Sequence, residues 1–311
     1  MNIKDLLDIK YPFIQGAMAN ISDGTFAAKV SEGGGLGIIA SGGLNCAQIR
    51  EEILKAKKIT DKPFGLNLLM LHEQIEEIVD IAIENKISCV TTGAGNPAKY
   101  IKRLKENKIK IFPVVSNKSL AIRMQNLGVD GIIVEGEEAA GHIGESSTFV
   151  LLPQISDAVD IPVIAAGGIY SGKTILAAEI LGAKAVQIGT AMLFTKECPI
   201  HENYKQKLIK TKTSQVTVIG RLNGYATRVV KNSMTNKYLE IEKTTNDKRL
   251  LENMTLGALR KAVYEGDMVN GSIMAGQVVG SLDEILSIKE YFEKIYTQYI
   301  ELKDDFKRGI L

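Results

Sequence analysis

The chain has 311 residues, of which 45% are hydrophobic and 24% charged, ordinary values for a globular protein able to bury a sizeable core. Its 38 basic and 36 acidic side chains leave a formal charge of +2, which gives no electrostatic case for a nucleic acid or an anionic membrane as the main partner. The first residues, MNIKDLLDIKYPFIQG, interleave charges with apolar residues, and nowhere do eighteen apolar residues run together, so the expectation is a soluble, cytoplasmic protein without leader or span.

Short apolar runs recur in chain order: FIQG (13–16), LGIIA (36–40), FGLNLL (64–69), SCVTTG (88–93), KIFPVV (110–115), GIIVEG (131–136), PVIAAGG (162–168) and AVQIG (185–189). They are apolar nearly throughout, as strands buried on both faces of a parallel sheet must be. Between them lie segments with helical spacing. The clearest is 73–86, where Ile75, Ile78, Val79, Ala82 and Ile83 share one stripe; others are 46–58, 97–108, 118–128 and 171–182. Eight strands alternating with helices predict an α/β fold of the TIM (β/α)8 type.

From His201 the alternation stops. The pattern divides the chain into a barrel over 1–200, a small inserted substrate or lid domain over 201–270 following the eighth strand, and a return segment with a last helix over 271–311. Ile285, Ile288, Phe292, Ile295 and Tyr299 give that helix an apolar face expected to pack on the barrel.

In such a barrel the chemistry gathers at the C-terminal ends of the strands. Polar or glycine-rich segments follow the strands: QGAM, Asn67, TTGAGNP, EGEEAAGHIG, AAGGI and IGTAM. Gly167, Gly168 and Gly189, after the seventh and eighth strands, leave amides open beside helix N-termini, which suits a phosphate. GGGLG (33–37) precedes a strand and so reads as a helix stop and turn, not a dinucleotide fingerprint.

Only three histidines occur. His72 and His201 read as surface residues, whereas His142 sits in a glycine-flanked loop at the predicted mouth, where an imidazole can exchange a proton near neutral pH. Cys46, Cys89 and Cys198 are odd in number and scattered; they read as reduced thiols, and with the histidines they assemble no metal site.

Several stretches carry a resemblance: YPFIQGAMA (11–19), GGGLGII (33–39), TDKPFGLNLLM (60–70), VTTGAGNPAKY (90–100), EGEEAAGHIG (135–144), IPVIAAGGI (161–169), AVQIGTAM (185–192) and GSIMAGQ (271–277). Through them the chain resembles the flavin-dependent enoyl-(acyl carrier protein) reductase II family (FabK type), within the larger nitronate monooxygenase (2-nitropropane dioxygenase-like) superfamily. The resemblance implies FMN, with its phosphate on Gly167, Gly168, Gly189 and Thr190. Its ring would lie near Ala17, Met18, Asn67, Glu135 and the segment Met274, Gly276, Gln277, and His142 would act beside flavin and substrate. It further implies NADH or NADPH as co-substrate, an enoyl chain on acyl carrier protein, a monovalent cation and a homodimer. Lys205, Lys207, Lys210 and Lys212 are candidates for a basic rim guiding the acidic carrier protein. The alternative within the superfamily is oxidation of alkyl nitronates with oxygen. Asn20 and Ala191 depart from the family pattern at positions expected to line the substrate pocket.

Overall fold

The computed structural model describes residues 2–245 and 247–309. Eight parallel strands form one sheet: β1 (Phe13–Gln15), β2 (Gly37–Ala40), β3 (Phe64–Leu69), β4 (Cys89–Gly93), β5 (Lys110–Val115), β6 (Ile132–Glu135), β8 (Val163–Ala166) and β9 (Ala185–Ile188). The spatial order is β1-β9-β8-β6-β5-β4-β3-β2, and a parallel bridge between Ile14 and Leu36 joins the two ends. The sheet is therefore a closed TIM barrel, with the eight strands where the apolar runs put them.

Two cores follow from the period of two along each strand. Ile14, Ile38, Cys89, Phe112, Ile133, Ile164 and Ala185 form the barrel interior, while the alternate residues, such as Leu66, Val90, Ile132 and Ala165, join the larger layer beneath the helices. Gly65 is the interior residue of β3: a Cβ there would stand 2.6 Å from the Ile38 side chain and 2.7 Å from Cys89 Sγ. The bottom is plugged by the short helix Ile3–Leu7, whose Ile3 and Leu7 enter the same interior cluster. That plug was not apparent as an element in the sequence.

Three of the outer helices begin at side-chain caps: Asp23, Asn45 and Asn117 each accept the amide three residues on. The last helix, Ile288–Lys307, packs on the barrel as expected, burying Ile288, Tyr291, Phe292, Ile295 and Tyr299, with Phe292 against Phe13. Ile285 falls before its first turn.

Beyond residue 200 the structure distributes the chain between two cores. The helix Glu202–Ile209 puts Tyr204 and Leu208 into the main core. A small core of Ile219, Val229, Tyr238 and Leu251 forms further on. There β10 (Val216–Ile219) and β11 (Thr227–Val230) make a hairpin whose inner strand pairs with a two-residue strand from the barrel, β7 (Gly141–His142). Among the described residues, no helix is long and apolar enough to cross a membrane.

Candidate active site

Strand parity decides which side chains reach the mouth. Ala166 belongs to the interior cluster and is in register with Glu135 on one side and Gln187 on the other, so these three form an inward-facing row. Across the barrel, Ala40, Asn67 and Thr91 share a second row ending at Phe112. Asn67 Nδ2 donates to Thr91 Oγ1 at 2.9 Å. The side chains of Glu135 and Gln187 make no hydrogen bond with any group among the described residues, although Gln187 is buried and Glu135 half-buried. Burial alone pushes the Glu135 carboxyl up to about 7. Gln187 was not singled out in the sequence, yet period-two alternation in AVQIG already turns it inward.

The glycines after β8 and β9 provide a cradle. Gly167 and Gly168 have φ of 88° and 79°, a region that glycine alone adopts freely. A Cβ on Gly189 would meet nothing within 4 Å, so its backbone faces open space. The amides of Gly167, Gly168 and Gly189 have no acceptor among the described residues. Unpaired amides converging beside open space suit an anion such as a phosphate. In the following helix, Gly172–Ile180, the first amide is already committed, donating to Gln298 Oε1 of the last helix at 2.7 Å. The last helix thus takes the first of that N-terminus's amides.

His142 is exposed and held as a strand residue, with Thr227 as its partner in β11. Its loop is tied down from both sides. The buried Arg228 guanidinium donates to the Glu137 carbonyl through Nε (3.1 Å) and Nη2 (2.8 Å). The Glu138 carboxylate accepts from Thr148 N at 2.9 Å and Thr148 Oγ1 at 2.8 Å. Neither Glu138 nor Arg228 was identified from sequence; the glutamate's signal is its position at a turn before a Ser-Thr helix start.

The return segment is tied to the loops at the mouth. Gly276 N donates to Thr190 Oγ1 (2.8 Å), Gln277 N to Glu138 O (3.0 Å) and Tyr204 OH to Met274 O (3.0 Å). Only glycine fits at 276, where a Cβ would lie 2.6 Å from the Glu138 carbonyl. Met274 Sδ would stand 3.6 Å from a Cβ on Gly141, so Met274 packs beside the histidine strand. On the far side, Met18 N donates to Ser22 Oγ, and Ala17 packs at the edge of the interior cluster. The candidate residues thus come together at one end of the barrel.

Three expectations change, for Ala191, for Lys205 and for the two outlying histidines. Ala191 is 1% exposed within the main core, so it cannot line a pocket. Asn20 stays in the loop after β1 in a left-handed conformation. Lys205 is no rim residue: it is buried, its ammonium donating to the carbonyls of Thr195 and Lys196. Lys210 and Lys212 are exposed and Lys207 partly so. His72 and His201 are half-buried fasteners. His72 Nε2 lies 2.8 Å from the Leu44 carbonyl, and His201 caps the helix Glu202–Ile209. All three thiols are buried, and burial pushes those of Cys89 and Cys198 up to about 12.

The sequence matches the family model described as nitronate monooxygenase over residues 1–85 and 71–298. The chain belongs to the nitronate monooxygenase family. A probable nitronate monooxygenase of Staphylococcus aureus (strain MRSA252) is 30% identical, the match covering 88% of this chain and 90% of that protein. The solved structure of FabK from Thermotoga maritima is 42% identical, with a TM-score of 0.95 over 99% of this chain and 98% of that one. A (3aS,4S,5R,7aS)-5-hydroxy-7a-methyl-1-oxo-octahydro-1H-indene-4-carboxyl-CoA dehydrogenase of Rhodococcus jostii is 27% identical over 97% of this chain and 96% of that protein. Membership of the nitronate monooxygenase family makes the protein an oxidoreductase on a TIM barrel, in its FabK-like part by overall likeness.

Proposed function

We propose that the protein is an FMN-dependent enoyl reductase, saturating a trans-2-enoyl chain carried on acyl carrier protein with NADH or NADPH as reductant. The near full-length likeness to FabK of Thermotoga maritima, at 42% identity, carries the reading. The open amide cradle supports the cofactor: its free donors fit a phosphate, and the inward rows at the mouth include the small residues Ala40 and Ala166. In this reading Gly167, Gly168, Gly189 and Thr190 hold the phosphate. Ala17, Met18, Asn67 and Glu135, with Met274, Gly276 and Gln277, surround the ring. Bound there, FMN supplies the hydride chemistry between nicotinamide and enoyl chain.

The chain's own part is placement and electrostatics. Reduction of an enoyl thioester drives negative charge onto the thioester oxygen, and a donor aimed at that oxygen lowers the barrier. His142, fixed by β11 but open to the mouth, is assigned that donor or proton-relay role. The Arg228-anchored loop and the return segment, tied to Thr190, fix the backbone around the site. Lys207, Lys210 and Lys212 remain the proposed contacts for the acidic carrier protein. A monovalent cation and a homodimer belong to the same proposal.

A second reading, nitronate oxidation by oxygen, is favoured by the family model and by the Staphylococcus aureus relative. One assay separates them: anaerobic NADH oxidation by the FMN-loaded protein, with and without crotonyl-CoA or an enoyl-acyl carrier protein. Enoyl-dependent consumption, reduced roughly 100-fold in His142→Ala as for a lost oxyanion donor, supports the reductase. Turnover of a nitronate with oxygen, and none with NADH, selects the second reading.

A further inference from the structure

Glu135, Ala166 and Gln187 stand in one inward row at the mouth, on β6, β8 and β9. Glu135 and Gln187 flank the small Ala166, with their Cα atoms about two strand spacings, roughly 10 Å, apart. Neither side chain has a hydrogen-bond partner among the described residues, and beneath them lie Ile133, Ile164 and Phe112. A carboxylate above such a floor loses water without gaining a donor, which disfavours its charged form.

No neighbouring charge offsets this. The adjacent strands present Val114 and Ala166, and the far side presents Asn67 and Thr91, none ionisable. The segment 271–277 carries no ionisable side chain, and the one in the loop bearing Ala17 and Met18, Asp23, caps the next helix by accepting from Phe26 N. The titratable groups nearby in sequence, Glu137, Glu138 and His142, follow Glu135 on its own loop. Arg228 commits its guanidinium to the Glu137 carbonyl. Lys110 and Asp130 pair with each other at the opposite end of their strands. Burial is the one cause acting on Glu135, whose carboxyl is raised to about 7.

We infer that Glu135 is the proton-holding residue of the site, and that a flavin ring settling over the mouth binds together with that proton. The inference rests on the flavin reading above. Covering the mouth strips more water from Glu135, so the neutral acid is favoured more in the complex than in the free protein. Linkage then requires affinity to fall as pH rises above about 7, with a limiting slope of about tenfold per pH unit. Gln187 beside it hydrogen-bonds but does not titrate, so it adds no pH dependence of its own.

The test uses riboflavin, which has the ring without the ionising phosphate, and measures its affinity by fluorescence quenching between pH 6 and 8.5. The wild type is expected to weaken at least about fivefold from pH 7 to 8.5, and Glu135→Gln to change less than about twofold. In case Glu135→Gln does not fold, calorimetry of the wild type in two buffers of different ionisation enthalpy reads the same linkage: net proton uptake on binding is expected at pH 7.5. Affinity that is flat or rises with pH in the wild type, a fall that persists in Glu135→Gln, or zero proton uptake overturns the inference while leaving the flavin reading standing. Absence of ring binding to either protein at any pH, with no FMN binding either, overturns both.

Discussion

Thr227 of the β10–β11 hairpin and His142 of the barrel loop face each other in an antiparallel ladder, so a segment 85 positions away in the chain fixes the backbone of the candidate catalytic histidine. The next pair in the same ladder is Arg228 with Gly141, and the Arg228 side chain reaches past it to the Glu137 carbonyl. The hairpin is thus the other half of the histidine strand, and the site is built jointly by the barrel and the chain beyond residue 200.

That arrangement makes Arg228 a positioning residue. Arg228→Met keeps the buried aliphatic stem but removes two charge-assisted bonds, each worth about 1.5–3 kcal/mol. The expected outcome is a lower thermal midpoint and a fall in kcat larger than the change in KM, because the histidine loop loosens while the cradle at Gly167, Gly168 and Gly189 stays intact. FMN affinity measured on the same variant should move by less than about threefold, within one hydrogen bond's net worth. A variant whose kcat is unchanged would show that the histidine strand holds itself.

The raised Glu135 carboxyl also carries a stability consequence in the free protein. Its folded pKa, about 7, lies above the ordinary value of 4.5, so the native state binds a proton more tightly than the unfolded chain. The associated stability is fully present below about pH 4.5 and is lost as pH rises through 7, with a slope that approaches about 1.4 kcal/mol per pH unit. Denaturant melts of the cofactor-free protein at pH 5 to 8 should therefore show a decline that Glu135→Gln largely removes. Parallel curves for the two proteins would exclude the effect.

The barrel was legible because strands buried on both faces leave uninterrupted apolar runs, from FIQG to AVQIG, and because polar residues cluster where those runs end. His142, Asn67 and the paired glycines could be found on the same logic. What escaped was non-local. Arg228 lies in a stretch with no pattern of its own, and its role exists only because β11 pairs with β7. Lys205 looks like any helix lysine until the fold brings the Thr195 and Lys196 carbonyls to its ammonium. Ala191 was expected to line a pocket because it departs from the family pattern directly after a site glycine and threonine. The short 3-10 helix Thr190–Phe194 instead turns it into the core.

Gln298 separates stability from cofactor binding. Its Oε1 takes the first amide of the helix Gly172–Ile180, 126 positions away, in place of any anion. Gln298→Ala leaves that amide without its partner and should cost about 1 kcal/mol of stability, near the net value of one hydrogen bond. FMN affinity should be unchanged, since the cradle amides belong to Gly167, Gly168 and Gly189. A thermal melt and a flavin titration on the one variant check both halves. A large loss of affinity would instead assign the phosphate to this helix.

Two glycine-to-alanine substitutions should behave in opposite ways. At Gly189 the backbone φ of −104° is open to any residue and a Cβ meets nothing, so Gly189→Ala should fold as the parent does. The methyl would then occupy the space its amide faces, and FMN binding should weaken by at least about tenfold, or 1.4 kcal/mol. At Gly65 a Cβ would collide with Ile38 and Cys89 inside a packed barrel, and overpacking of that kind costs about 1–3 kcal/mol. Gly65→Ala should therefore lower the thermal midpoint while any protein that folds retains its flavin affinity. Melting curves and FMN titrations on both variants form the check. If Gly189→Ala binds FMN as tightly as the parent, the phosphate does not rest on that amide, and the cradle must be redrawn around Gly167 and Gly168 alone.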